Sequence, residues 1–284
     1  AAQAIAAGDA EFVIGGGAES MTRVPMFSDI AGGFASLNPA LNDKYEIIHQ
    51  GESAERIAER YGLSRAELDD FSFASHERAA AATRAGHFAG QLVALDGIDK
   101  LGAAVRLEHD EGIRFEPDRE RMGQLPSVFR ANGVVTAANA SQISDGAAAV
   151  LIGDSEVARA LGLKPRARFR ARVAVGGDPT LQLLEVVPAT RKALERAGLS
   201  IDDIDVVEIN EAFASVVLAW QREFAIDPAK VNPNGGAIAH GHPLGATGAV
   251  LMTKMLHELE RRAARYGLQV MCIGHGQATA TIID

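Results

Sequence analysis

The sequence has a single cysteine, Cys272, no long apolar run, and fewer basic than acidic residues. One cysteine excludes an intrachain disulfide and a zinc site built from several cysteines, and it suits a reducing compartment such as the cytoplasm. The longest apolar stretches, such as residues 213–220, fall short of the roughly 18 to 20 residues that a membrane helix needs. With 28 basic against 37 acidic residues and a net charge of −9, nucleic acid is an unexpected partner. We therefore expect a cytoplasmic protein without a membrane span.

The length and apolar content support about two domains, since 284 residues with 47% apolar side chains can build a sizeable core. Residues 1–7 have the composition of the last turns of a helix, which Gly8 ends. They include neither an initiator Met nor the basic and apolar segments of a signal peptide. We expect the sequence to begin inside a structural element.

The first part of the chain begins as a helix–strand unit and then changes character. Residues 11–14 form a short apolar run before Gly15-Gly16-Gly17, a pattern typical of a buried parallel strand that ends at a turn. Ser64 and Glu67 form a capping box at the start of a helix that extends to about residue 85. From residue 93 to residue 135 the pattern is broken and charged, and we interpret the whole region 22–135 as an insertion into the first α/β domain.

Regular α/β patterning returns at residue 145. It predicts strands over 145–152, 168–175, 204–209, 269–273 and 278–283, and helices over 155–161, 188–198, 211–224 and 246–264. Residues 274–276 form the turn of a terminal hairpin. The sequence therefore predicts an α/β fold with two halves, residues 1–162 and 163–284.

Three clusters follow strands or precede helices, where ligands of α/β sheets collect. They are Asn210-Glu211-Ala212-Phe213, the glycine-rich segment 235–245 around His242, and Cys272-Ile273-Gly274. Each has a structural alternative: Asn210 as a turn residue or helix cap, Cys272 as a small buried hydrophobe, and His242 as a satisfied core histidine. His240 and His242 could form a metal pair, but a third ligand at an evident spacing is missing, so we predict no metal site.

Three motifs, in their order along the chain, resemble those of the thiolase family. They are Asn210–Phe213, Gly241-His242-Pro243 and Cys272-Ile273-Gly274. Further segments resemble the same family, namely residues 15–21, 51–55, 75–76, 135–141 and 144–147. The resemblance covers nearly the whole chain. It implies duplicated α/β halves in an αβαβα layering, with an inserted loop domain in the first half.

The sequence departs from the family pattern at a few positions. Ala138, His275 and Ala278 stand where the family usually or commonly has glycine. The resemblance also implies a reactive cysteine a short distance upstream of Ala1. The chain as written is therefore not expected to form an acyl-enzyme alone.

The resemblance implies an acyl-CoA acyltransferase that cleaves 3-ketoacyl-CoA with coenzyme A or condenses acyl-CoA units in reverse, as in fatty acid β-oxidation and related lipid metabolism. It implies that His242 activates the nucleophilic cysteine and that Asn210 holds a water in the first oxyanion hole. The Gly274 amide would belong to the second oxyanion hole. Cys272 would be the general acid/base, and its thiol pKa, about 8.5 when unperturbed, would have to fall for the base role.

Coenzyme A is implied as a co-substrate rather than a permanently bound cofactor. The resemblance places Ala137, Ser141, Ala212 and Phe213 near its pantetheine arm, and His49 near the thioester. It also implies a homodimer or a homotetramer. Chain-length preference depends on residues 24–51, whose Phe27, Phe34 and Tyr45 either line an acyl tunnel or only pack.

Other functions use the same pocket. A thiolase-like lipid or acyl-CoA binding protein, or a supporting subunit, needs no turnover, but binding alone gives no reason to place Asn210, His242 and Cys272 together. A ketoacyl synthase or a hydroxymethylglutaryl-CoA synthase would carry a second histidine or another residue in place of Cys272.

Overall fold

Eight strands and ten α-helices make up the part of the chain that the computed structural model describes, residues 1–30, 32–99 and 101–284. The strands are β1 (Phe12–Ser20), β2 (Leu95–Ile98), β3 (Ala104–Leu107), β4 (Asp145–Gly153), β5 (Phe169–Gly176), β6 (Val206–Ile209), β7 (Gly267–Ile273) and β8 (Gln277–Ile283). The helices are α1 (Ala2–Ala7), α2 (Pro39–Lys44), α3 (Gln50–Tyr61), α4 (Arg65–Arg84), α5 (Arg119–Gly123), α6 (Ser155–Ala160), α7 (Val186–Ala197), α8 (Ala214–Phe224), α9 (Ala237–His240) and α10 (Thr247–Arg262).

The main sheet has four strands in the order β5-β8-β7-β6, of which β6 and β7 are parallel and the other pairs antiparallel. Its two faces are covered by different helices. Val206 packs with Met255 of α10, whereas its neighbour Val207 belongs to the core shared with α7 and α8. This alternation follows from the pleat of the strand, which sends successive side chains to opposite faces.

Helix α10 lies between the main sheet and a second sheet formed by β1 and β4. It contacts β6 and β7 on one side and β1 and β4 on the other. The layers therefore follow the order α7, main sheet, α10, second sheet. The loop before α10 is consequently held between two sheets, which is the location of the site described below.

The residues between β1 and β4 form helices α2 to α5 and the β2–β3 hairpin. Helix α3 packs on α8, and α4 packs on α8 and α9, so this region covers the second half. The predicted capping box is confirmed, since Ser64 Oγ accepts from the Glu67 amide and the Glu67 carboxylate accepts from the Ser64 amide. The division into halves at residue 162, with residues 22–135 inserted, stays a prediction.

The prediction for the glycine triplet was wrong. Instead of ending a parallel strand, Gly15, Gly16 and Gly17 lie inside β1, which pairs antiparallel with β4. A Cβ at residue 17 would lie 1.9 Å from the Gly245 carbonyl oxygen, and one at residue 16 would lie 2.6 Å from that of Ala148. The glycines therefore permit close backbone packing against β4 and the loop before α10, rather than a turn.

The predicted elements of the second half are present with shifted ends. Gly198 ends α7 in the left-handed conformation at φ of 67°, as Gly8 does for α1 in the first half at φ of 82°. The terminal hairpin turn also lies at residues 274–276. Helix α8 begins at Ala214 rather than at residue 211, because Ala140 pairs with Phe213 in an isolated β-bridge and keeps the preceding residues extended. No helix within the described ranges is both long and apolar enough to cross a membrane.

Candidate active site

A chain of hydrogen bonds joins the end of β6 to the start of α10. Asn210, directly after β6, lies with its amide nitrogen 3.3 Å from His242 Nε2. His242 Nδ1 lies 2.6 Å from the Thr247 hydroxyl, which donates to the Pro243 carbonyl at 2.8 Å. Because the one hydroxyl proton of Thr247 is committed to Pro243, the hydroxyl accepts from His242 Nδ1–H. Nε2 therefore carries the lone pair and accepts from the Asn210 amide.

His242 is a neutral base in this setting. Burial between the two sheets disfavours the imidazolium and lowers the pKa of His242 to about 4. At neutral pH Nε2 is therefore unprotonated, and its lone pair faces the Asn210 amide. A neutral imidazole of this tautomer can take a proton from a thiol placed near Nε2.

Cys272 is the last but one residue of β7 and is only 7% exposed. Burial raises the pKa of its thiol to about 11, while a hydrogen bond from the Asn210 side chain acts in the opposite direction. The thiol is thus protonated at neutral pH. Asn210 contacts both Cys272 and His242, so the structure brings together three of the four residues predicted to be catalytic.

Gly274, the fourth, opens the hairpin turn that follows β7. A Cβ at this position would lie 2.8 Å from Nε2 of Gln50, the first residue of α3, so the turn lies close to the start of that helix. The next residue, His275, donates its amide to Gln182 Oε1 at 2.7 Å, and Gln182 Nε2 donates to the Ile48 carbonyl at 3.0 Å. Gln182 therefore fixes the turn against the segment that leads into α3.

Three of the residues predicted to bind coenzyme A lie side by side. Ser141 donates its amide to the Ala212 carbonyl at 2.9 Å, and Phe213 pairs with Ala140. This short bridge joins the segment before β4 to the segment after Asn210. Ala137 lies on the same segment but is exposed at the surface of a turn.

His49 caps the N-terminus of α3, with Nδ1 accepting from the Gly51 amide at 2.9 Å. Its ring stacks on Phe129 at 5.0 Å between centroids, and Phe129 in turn meets Phe213 edge-on at 5.8 Å. An aromatic series thus connects His49 with the Asn210 segment. The rings of Phe27 and Phe34 also pack against His49, with centroids at 4.9 and 6.3 Å.

Tyr45 is separate from that series. It lines a neighbouring apolar cleft of about 390 Å³, with Leu41, Ile47, Pro179 and His275 among the other lining residues. His275 has a φ of 62°, in the left-handed region that favours glycine. The departure from the family pattern at this position therefore carries backbone strain.

Glu211 holds the glycine-rich segment in place and was not assigned a role from the sequence. Its buried carboxylate accepts from the Ser75 hydroxyl at 2.7 Å, from the Asn232 amide at 2.8 Å and from the Ile238 amide at 3.2 Å. Three donors satisfy the carboxylate, and within the described part of the chain none of its partners is basic. Glu211 thereby ties the strand end that carries Asn210 to the segment that leads to His242.

His240 and His242 point to different partners. His240 contacts Asp110 through Nδ1 and the Asn234 carbonyl through Nε2, both at 2.8 Å. The ring nitrogens of His242 contact Asn210 and Thr247 instead. Within the described ranges, groups of three potential metal-binding side chains do not occur.

Fold and site together define a layered α/β protein in which a neutral imidazole, a side-chain amide and a buried thiol meet. Family models for the thiolase N-terminal domain and the thiolase C-terminal domain match residues 1–156 and 163–284. The chain belongs to the thiolase family. The resemblance inferred from the sequence is therefore confirmed.

Individual relatives agree with this assignment. The chain is 48% identical to a steroid 3-ketoacyl-CoA thiolase of Mycobacterium tuberculosis, over 100% of this chain and 70% of that protein. It is 45% identical to a beta-ketothiolase of Cupriavidus necator, of which it covers 74%. A crystal structure of human mitochondrial 3-ketoacyl-CoA thiolase superposes on 99% of this chain and 74% of that chain, with a TM-score of 0.88 at 36% identity. This likeness confirms the predicted thiolase-like α/β fold.

Proposed function

We propose that this chain acts in acyl transfer between 3-ketoacyl-CoA and coenzyme A, in the direction of cleavage or of condensation. The proposal rests on one observation: Asn210 contacts both His242 and Cys272, and the three residues come from three separate segments of the chain. The relatives at 41 to 48% identity are named as thiolases of several 3-ketoacyl-CoA substrates or as an acetyl-CoA acetyltransferase. Coenzyme A enters such a reaction as a substrate.

His242 is assigned the role of base toward the nucleophilic thiol. Its low pKa keeps the ring neutral over the physiological range. When it takes the thiol proton, the product is a thiolate beside an imidazolium, and the attraction between the two charges offsets the cost of burying them. Protonated Nε2 can then donate a hydrogen bond to an oxyanion on the substrate.

Asn210 and Gly274 are assigned to the two oxyanion holes. Asn210 Oδ1 is buried and, among the described residues, has no hydrogen-bond partner. A buried acceptor of this kind is a position for an ordered water, which fits the water that the proposal places beside Asn210. The Gly274 amide would stabilise the oxyanion at the second centre.

Cys272 is assigned the role of general acid/base. In cleavage it protonates the carbanion of the departing acetyl-CoA, and a thiol with a pKa of about 11 is available in that form at neutral pH. In condensation it has to remove an α-proton, for which the pKa would have to fall below its ordinary value. Burial shifts it in the opposite direction, so the unliganded site suits the acid role better than the base role.

The acyl group itself needs a second thiol. Cys272 is the one cysteine of the sequence and is already assigned to proton transfer. The proposal therefore places the acyl carrier on a thiol that this sequence does not contain. Residues 1–284 alone are expected to be inactive in turnover.

The finer assignments belong to the same proposal. Ala137, Ser141, Ala212 and Phe213 receive the pantetheine arm, with His49 near the thioester. The chain divides into halves 1–162 and 163–284, with residues 22–135 inserted. We propose a cytoplasmic homodimer or homotetramer, which light scattering with size-exclusion chromatography tests, and a part in lipid degradation such as fatty acid β-oxidation.

The test is turnover of acetoacetyl-CoA with coenzyme A by the protein from its source at its natural length. We expect measurable cleavage, and a loss of about 100-fold to 10,000-fold for Cys272→Ala, the usual contribution of a general acid–base group. Normal turnover in that variant would reject the acid/base role. Binding of acetyl-CoA by the natural protein with no turnover would favour the binding-protein alternative.

A further inference from the structure

A second contact joins the same strand and helix as the Asn210–His242–Thr247 chain. Glu208 precedes Asn210 by two residues, so both side chains point to the face of β6 that α10 covers. Lys254 follows Thr247 by seven residues, close to two full turns of α10, so both lie on the helix face toward the strand. Lys254 Nζ lies 3.0 Å from Glu208 Oε2. Glu208 is fully buried and Lys254 is 6% exposed.

Lys254 also binds the segment that carries His242. Its ammonium group donates to the carbonyl oxygen of Gly235, the first residue of the glycine-rich segment. The preceding carbonyl, of Asn234, is bound by His240. Beyond these, Glu211 accepts from the Ile238 amide. The backbone between β6 and α10 is therefore fixed by buried polar side chains at successive positions before His242.

The Glu208–Lys254 pair is poorly explained by stability alone. Burying two charges costs desolvation energy, and apolar residues of similar volume often replace such pairs without loss of stability. Here the second carboxylate oxygen, Glu208 Oε1, has no hydrogen-bond partner among the described residues. Burial accordingly raises the pKa of Glu208, which Lys254 opposes. A pair with an unsatisfied oxygen fits a geometric role better than a stabilising one.

We propose that Lys254 is a positioning residue, which through Gly235 and Glu208 sets the location of His242 relative to Asn210. The Glu208–Lys254 pair and the Asn210–His242–Thr247 chain are separate links between strand and helix. At the usual rise per residue, Glu208 and Asn210 lie about 6.6 Å apart along the strand, and Thr247 and Lys254 about 10 Å apart along the helix. Two separated contacts between the strand and the helix prevent α10 from sliding along β6. The 3.3 Å contact between Asn210 and His242 depends on that register.

The inference depends on the proposed function only for its catalytic consequence, so its test uses the chain without turnover. The main variant is Glu208→Met/Lys254→Met, which removes both charges and the donor to Gly235 while keeping similar volumes. Lys192→Met is the matched control, because Lys192 is an exposed residue of α7. The readouts are the urea midpoint of unfolding and the tautomer and pKa of His242 by nitrogen-15 NMR.

We expect the double variant to fold with a similar urea midpoint while His242 loses its pure Nδ1–H tautomer, because Nε2 is no longer held against the Asn210 amide. The control should match the parent chain in both readouts. A folded double variant with an unchanged His242 would overturn the proposal.

Glu208→Gln keeps the test decisive if the double variant does not fold. This change retains Lys254 and its bond to Gly235, so His242 should keep its tautomer and its low pKa. If Glu208→Gln changes the tautomer of His242 as much as is expected for the double variant, then the charge of Glu208 controls His242 and the Lys254 anchor does not. That outcome would contradict the proposal.

Discussion

Replacing Thr247 with valine should release the imidazole of His242 from its tautomer. Thr247 is 2% exposed, and its hydroxyl makes two hydrogen bonds, one from His242 Nδ1–H and one to the Pro243 carbonyl. Valine has nearly the same shape but neither donates nor accepts. The Nδ1–H group of the buried His242 ring is then left without an acceptor.

The expected cost follows from those two bonds. Leaving a buried donor unsatisfied costs about 1 to 3 kcal/mol, and the Pro243 carbonyl also loses its partner. At about 1.4 kcal/mol per factor of ten, even the lower part of that range is enough to change the favoured tautomer. We therefore expect Thr247→Val to lower the free energy of unfolding by about 2 kcal/mol and to convert much of His242 to the Nε2–H form.

Thr247→Ser is the control, since it keeps both hydrogen bonds and removes one methyl group. It should lose about 0.8 kcal/mol from that methyl and leave the tautomer unchanged. Nitrogen-15 NMR of His242 and urea unfolding of both variants supply the comparison. If valine leaves His242 in the Nδ1–H form, the orientation of the ring does not depend on Thr247 and the assignment of Nε2 as the basic atom loses its support.

Further predictions follow from single groups. His242 and His76 both have a pKa of about 4 in the folded chain because burial disfavours their charged forms, against an ordinary value of 6.5. Between pH 4 and pH 6.5 the unfolded chain therefore binds more protons than the folded chain. The free energy of unfolding should fall as the pH drops from 6.5 to 4, by up to about 3 kcal/mol per histidine. A urea midpoint that does not change with pH over that range would contradict this expectation. Alkylation of Cys272, the one thiol of the sequence, should accelerate with pH beyond 9 toward its pKa of about 11, whereas a plateau by pH 9 would refute the effect of burial. His275→Gly should raise the free energy of unfolding by about 1 kcal/mol by relieving the positive φ, and no gain would mean that the turn carries little strain.

Patterns within one element were predicted well from the sequence. The capping box of Ser64 and Glu67, the terminal glycine of α7 and the final hairpin depend on neighbouring residues, so their signals are local. The glycine triplet of β1 was misinterpreted for the opposite reason. What requires glycine at residue 17 is the backbone of residue 245, which is distant in the sequence.

The central residues of the site were predictable from the sequence, but the residues that hold them in position were not. Asn210, His242 and Cys272 belong to motifs that the family resemblance identifies, and the structure brings them together. Gln182 and Lys254 carry no such signal, because each acts on a backbone segment that the sequence alone does not place beside it. Thr247 could have been suspected from its position five residues after His242, at the start of the helix that follows.

Transfer of an acetyl group to the protein tests the central claim most directly. The natural-length protein is incubated with acetyl-CoA, and the modified residue is located by intact mass and peptide mapping, in the parent and in Cys272→Ala and His242→Asn. We expect a thioester on a thiol other than Cys272, with release of coenzyme A, that forms in the Cys272→Ala variant and is strongly reduced in His242→Asn. Acetylation of Cys272 itself, or undiminished transfer in His242→Asn, would contradict it.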